Sequence, residues 1–129
     1  MTARLDRAQL AFLNNYAELL GELDDVLAYV SECYIKDDYE IGDRLLADVM
    51  KGMLPYHPEN LTIVSIFGQE EEALETLGCF HEAAQQGADA GNLEDPGERM
   101  HLLHEVLIVR YKLWYSVVKK KKSEMESSG

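Results

Sequence analysis

The stretch "LDRAQLAFLNNYAELLGELDDVLAYVSECYIK" (Leu5–Lys36) decides the fold, because its apolar residues keep a helical period without interruption. Leu5, Phe12, Tyr16, Leu19, Leu23, Val26, Val30 and Cys33 follow a spacing of seven and then alternating fours and threes. Leu13, Leu20, Leu27 and Tyr34, each seven from the last, widen that stripe. A helix with so broad an apolar face must be covered by other helices. The spacing predicts one bundle helix from about Thr2 to about Lys36, roughly 50 Å long.

Downstream, "KDDYEIGDRLL" interrupts the pattern and offers Asp37 or Asp38 as an N-cap. A second helix is expected to reach about Leu54 and to bury Leu45, Leu46, Val49, Met50 and Met53. Pro55 and Pro58 in "LPYHPEN" then stop it, since proline cannot continue the hydrogen-bond ladder. "NLTIVSIFG" has strand-forming residues but poor alternation and no partner strand. It is read as the start of a third helix, from about Asn60, bent at Gly68 and continuing through "QEEEALETLGCFHEAAQQ". "GADAGN" is a loop, and a fourth helix is predicted from Pro96 to about Lys122. Four helices with short connections predict an all-α, antiparallel four-helix bundle over residues 1–122, with a flexible tail at 123–129.

The chain of 129 residues is long enough to bury a core without disulfides. Cys33 and Cys79 lie outside any C-x-x-C spacing and read as buried, reduced thiols of a cytoplasmic protein. The N-terminus shows no apolar run of the signal-peptide kind. The most apolar segment, Val106–Val118, contains Arg110 and Lys112, so no membrane span is expected. Net charge is −12, and no Lys or Arg occurs from Gly52 to Glu98, where ten carboxylates do. Such a surface repels a phosphate backbone, which argues against nucleic-acid binding. The run Lys119–Lys122 reads as cations at the negative end of a helix dipole.

Glu98, His101 and His104 form E-x-x-H-x-x-H. E-x-x-H resembles half of the motif of ferritin-like di-iron proteins, which implies two such pairs plus a Glu from each remaining helix. Here the pattern occurs once. Asp95, Pro96 and Glu98 also fit an N-cap, first position and third position, with Glu98 reaching back to the cap. With Leu103, Leu107, Trp114 and Val117 facing the core, His101 falls among polar residues on the opposite side. These residues read as surface, and no metal or cofactor is expected. Cys79 and His81 sit two apart on one helix and diverge, so they form no nucleophile–base pair.

Arg110, near the middle of the last helix's apolar stripe, is out of place, as is His81 in line with Leu74 and Leu77. Glu70 joins them if the third helix is continuous. These three are the buried polar candidates, as structural ion pairs or as a small-anion site. Beyond the core stripe, His104, Ile108, Tyr111, Tyr115 and Val118 form a second row at spacings of four, three, four and three. That row predicts a partner-binding face, covered by a second copy of the chain in a homodimer or by another protein. The function expected is a small acidic interaction or regulatory module rather than an enzyme. A metal-binding four-helix-bundle enzyme is the alternative.

Overall fold

A computed structural model describes residues 5–127, with side chains described for 5–125. It is all-helical, with no strand among the described residues. Helix α1 spans Arg7–Ile35, α2 Tyr39–Met53, α3 Leu61–Phe67 and α4 Glu71–Ala88. A 3-10 turn follows at Ala90–Asn92. The last helix comes in three consecutive stretches: α5 (Pro96–Met100), a π-helical stretch (His101–Leu107) and α6 (Ile108–Ser127).

The apolar stripe of α1 reaches the core: Leu13, Leu20, Leu27 and Tyr34 are buried, as are Tyr16, Leu23, Val30 and Cys33, with Phe12, Leu19 and Val26 partly buried at its edge. The helix begins later than its apolar pattern suggests. Asp6 is the N-cap, its carboxylate accepting from Gln9 N–H while Gln9 Oε1 accepts from Asp6 N–H, both at 2.8 Å. This reciprocal pair satisfies two of the free donors of the first turn and sets the start. The part of the prediction that falls on residues 2–4 lies outside the described residues.

At its far end α1 closes in a Schellman turn: Asp37 N–H donates to Tyr34 O and Asp38 N–H to Cys33 O. Asp37 occupies the left-handed position at φ 64. Asp38 takes the cap position of α2 without a side-chain cap bond. In α2, Leu46, Met50 and Met53 are buried, with Leu45 and Val49 packed beside them.

The segment after the prolines is helical, but the expected single bent helix is two. Asn60 caps Thr62 and Ile63, and α3 buries Ile63, Ile66 and Phe67. The chain then turns through Gly68 and Gln69, with Glu70 N–H donating to Phe67 O, before α4 begins. Four helices carry the core contacts: α1 packs on α2 and α6, and α4 packs on the same two. Trp114 sits at the centre, fully buried, donating from Nε1 to Tyr16 Oη at 2.8 Å and tilted against Phe67.

The π stretch corrects the reading of the last helix. A π turn closes i→i+5 bonds and takes one more residue than an α turn, so it rotates everything downstream back by most of a residue step. The buried positions are Leu102, Leu103, Leu107, Tyr111, Trp114 and Val118, where an uninterrupted α period centred the stripe on Arg110 and Val117. Tyr111 and Val118 are therefore core residues, 1% and 0% exposed, and not a partner-binding face. Tyr111 donates to Leu20 O on α1. Ile108 and Tyr115 are half-buried against the same core. A Cβ on Gly21 of α1 would lie 2.9 Å from Tyr115 Oη, so that ring also rests on α1. His104 meets α1 too, through Ser31 Oγ at 2.7 Å.

The helix also runs past its predicted end, so Lys119–Lys122 lie within α6 and not at its terminal turn. Residues 128 and 129 of the expected tail lie outside the described residues.

Candidate functional site

The three buried polar candidates do not come together. Glu70 is exposed at the start of α4 and accepts from Lys121 Nζ at 2.7 Å. His81 is half-buried against the His57 ring, centroids 5.8 Å apart. Arg110 leaves the core stripe and snorkels outward at 32% exposure, donating to Cys79 O at 3.0 Å and lying 3.8 Å from Glu82. Cys79 itself is exposed, contrary to its expected burial, whereas Cys33 is buried.

The buried ion pair of this protein lies elsewhere. Asp43 of α2 accepts from Arg99 Nε and Nη2 at 2.8–3.0 Å, and from Tyr34 Oη at 2.7 Å. Both charged side chains are only 11% exposed. The guanidinium also stacks over Tyr39, 5.3 Å from the ring centroid, and Tyr39 in turn donates to Asp37 Oδ1. Gly42 makes this possible: a Cβ there would fall 2.6 Å from Tyr34 Cε1. Burial and the Asp43 carboxylate push the Tyr34 hydroxyl well above the usual tyrosine range. Hydrogen bonds from Arg99 to Asp43 hold the guanidinium in its charged form.

This pair was open to sequence reading. Asp43, Leu46, Met50 and Met53 share one stripe of α2 at spacings of three, four and three, so a carboxylate stands in line with core residues. Arg99 precedes Leu103 and Leu107 at spacings of four. Every carboxylate oxygen of Asp43 is engaged, and among the described residues no buried side-chain nitrogen or oxygen lacks a partner. The cluster locks α2 to the last helix and presents no free group for chemistry.

Glu98 and His101 are exposed, and His101 Nδ1 pairs with Glu105, one turn along. Asp95 caps Gly97 N–H at 2.8 Å, but the reach of Glu98 back to the cap is not made. His104 points the other way, to Ser31. Among the described residues, no three His, Cys, Asp or Glu side chains converge as metal ligands.

What the surface does present is a long seam between α4 and the last helix. One end is apolar, with Leu93, Leu102 and Val106 bordered by Gln86, Glu98 and His101. The middle is lined by Glu72, Glu75, Thr76, Cys79, Arg110 and Leu113. Glu72 and Thr76 continue into a third section with Val117, Lys120 and Lys121. Leu113 is 59% exposed and Val109, one turn before it, 48%. The Arg110–Glu82 contact bridges the seam between its upper and middle sections.

A family model described as Domain of unknown function (DUF8042) matches residues 11–117. The chain belongs to that family. No curated protein and no solved structure matches it. The DUF8042 span begins in α1 and ends at Val117 in α6, so it includes both the Asp43–Arg99 pair and nearly all of the seam. No described helix is long and apolar enough to cross a membrane.

Proposed function

We propose that this DUF8042 protein is a protein-interaction module: a single-domain, acidic four-helix bundle of antiparallel α1, α2, α4 and α6 that docks a partner in the α4–α6 seam. The observation that carries this reading is Leu113, a large apolar side chain 59% exposed in a groove between α4 and α6. Isolated exposed apolar residues need no explanation. Leu113 is different because Val109, 48% exposed, and the half-buried Val106 continue its apolar line into the π stretch. A helix that buries one face on α1 and offers a second along a groove is suited to helix-in-groove docking. An exposed thiol at Cys79 and an unpaired Cys33 suit a reducing, cytoplasmic setting.

A photo-crosslinking residue at position 113 tests the reading in the source cell. A discrete adduct is expected there, and none from the same group at Asp48, exposed on α2. Equal labelling from both positions, or none from either, would remove the seam as a docking face.

A further inference from the structure

We infer that the α4–α6 seam accepts a basic, amphipathic helix of another protein, and not a second copy of this chain; this rests on the interaction reading above. The first argument is charge. The middle section sets Glu72 and Glu75 along one wall opposite Leu113. Its single cation, Arg110, is already engaged by Cys79 O and Glu82. At the lower end Lys121 is taken by Glu70, and Lys120 shares that section with four carboxylates, Glu70, Glu71, Glu72 and Glu124. The α4 side has no cation of its own, because no Lys or Arg occurs between Gly52 and Glu98. An apolar floor beside a carboxylate wall complements a helix with an apolar stripe flanked by Lys or Arg.

The second argument is symmetry. A two-fold contact whose axis crosses the seam lays the patch on its own image, with the two ends exchanged. Glu72 and Glu75 of one copy would then face the opposite end of the seam, where Asp89 and Glu98 are the charged residues beside His101. Carboxylates would meet carboxylates, between two chains each carrying −12. Like-charge juxtaposition of that kind costs affinity and selects against an end-exchanged pair of chains.

The third argument is spacing. Val106 and Leu113 are seven residues apart on the last helix, separated by the Arg110 bridge. Two turns of helix cover about 10 Å, so an occupant lying along the seam meets both with anchors at i and i+7.

The test uses the whole chain and a synthetic Leu/Lys peptide with leucines in helical register, against a scrambled peptide of the same composition. Fluorescence anisotropy is expected to show the helical peptide bound about tenfold more tightly. Leu113→Ser and the double variant Glu72→Gln/Glu75→Gln should each weaken it several-fold without lowering the melting temperature. Affinity should fall as salt rises. Bound peptide should slow alkylation of Cys79, which lines the groove, while leaving Cys33 as unreactive as before.

Equal binding of the scrambled peptide, or binding that leaves Cys79 alkylation unchanged, would overturn the inference. So would a Glu72→Gln/Glu75→Gln variant that binds like wild type. If the peptide fails but sedimentation reveals a dimer that Leu113→Ser dissolves, the partner class falls and the interaction reading stands. If the peptide fails, the chain is monomeric and position 113 gives no adduct, both fall.

Discussion

The first and last helices pack against each other in the core, yet they keep their apolar faces aligned by different means. In α1 the sequence holds one period for its whole length, and every turn presents the same side to its neighbours. In the last helix the sequence drifts, and seven π-helical residues bring it back, so that Leu103 and Leu107 within that stretch line up with Tyr111, Trp114 and Val118 after it. Register in a long helix can thus be held by spacing or restored by a local change of winding. Only the first kind is written as a periodicity.

The largest test of this contrast is a pair of one-residue deletions. Removing the exposed Asn15 from α1 should abolish cooperative folding, because it rotates Leu20, Leu27 and Tyr34 by about 100° relative to Leu13. Removing the exposed Glu105 takes out the extra residue of the π stretch, leaves the flanking faces aligned and should cost on the order of 1–3 kcal/mol. Circular dichroism during urea unfolding compares them. Comparable losses would show that the π stretch does not set the register.

A somewhat smaller effect is expected from Tyr111→Glu, which buries a carboxylate beside Leu20 and Phe80 and should destabilise by more than about 4 kcal/mol. A folded variant with weakened self-association would restore the row of His104, Ile108, Tyr111, Tyr115 and Val118 as an interface.

Two arginines on opposite sides of the π stretch sharpen the comparison further. Arg99→Ala leaves Asp43 buried without its cation and should cost roughly 3–5 kcal/mol. Arg110→Ala removes only a half-exposed contact with Glu82 and Cys79 O, so its cost should stay under about 1 kcal/mol. Reversal of that order in denaturant midpoints would place Arg110 back in the core.

The same helix pair predicts an alkaline limit. Burial raises the hydroxyls of Tyr16, Tyr34 and Tyr111 above the ordinary tyrosine range. Their folded-state values lie above their unfolded ones, so this contribution is fully present below about pH 10 and declines as pH rises beyond it. An absorbance titration should therefore show an early phase from exposed tyrosines such as Tyr29, and a late one coincident with loss of helix. A single early phase would mean that water reaches these rings.

The smallest effect sits at the end of α1. Asp37 adopts a left-handed conformation that favours glycine, but its carboxylate also holds the Tyr39 hydroxyl. Asp37→Gly should raise stability by no more than about 1 kcal/mol. A loss in thermal melts would show that the bond to Tyr39 outweighs the strain.

The sequence by itself determined the helical class, the stripe of α1, the core residues of α2, and the surface placement of Glu98 and His101. Each follows from an unbroken local period, a proline stop or a polar helix face, and none needs a neighbour to be known. Asp43 and Arg99 were also legible, each as a charge in line with apolar residues, although their pairing was not. Tertiary structure decided the division of α3 from α4, the pairing of Asp43 with Arg99, and the exchange of Arg110 for Tyr111 in the core. Each of these depends on where a second helix lies. α1 requires Tyr111 to reach Leu20 O, Asp43 requires Arg99, and one turn of the last helix widens so that both are met on a single face.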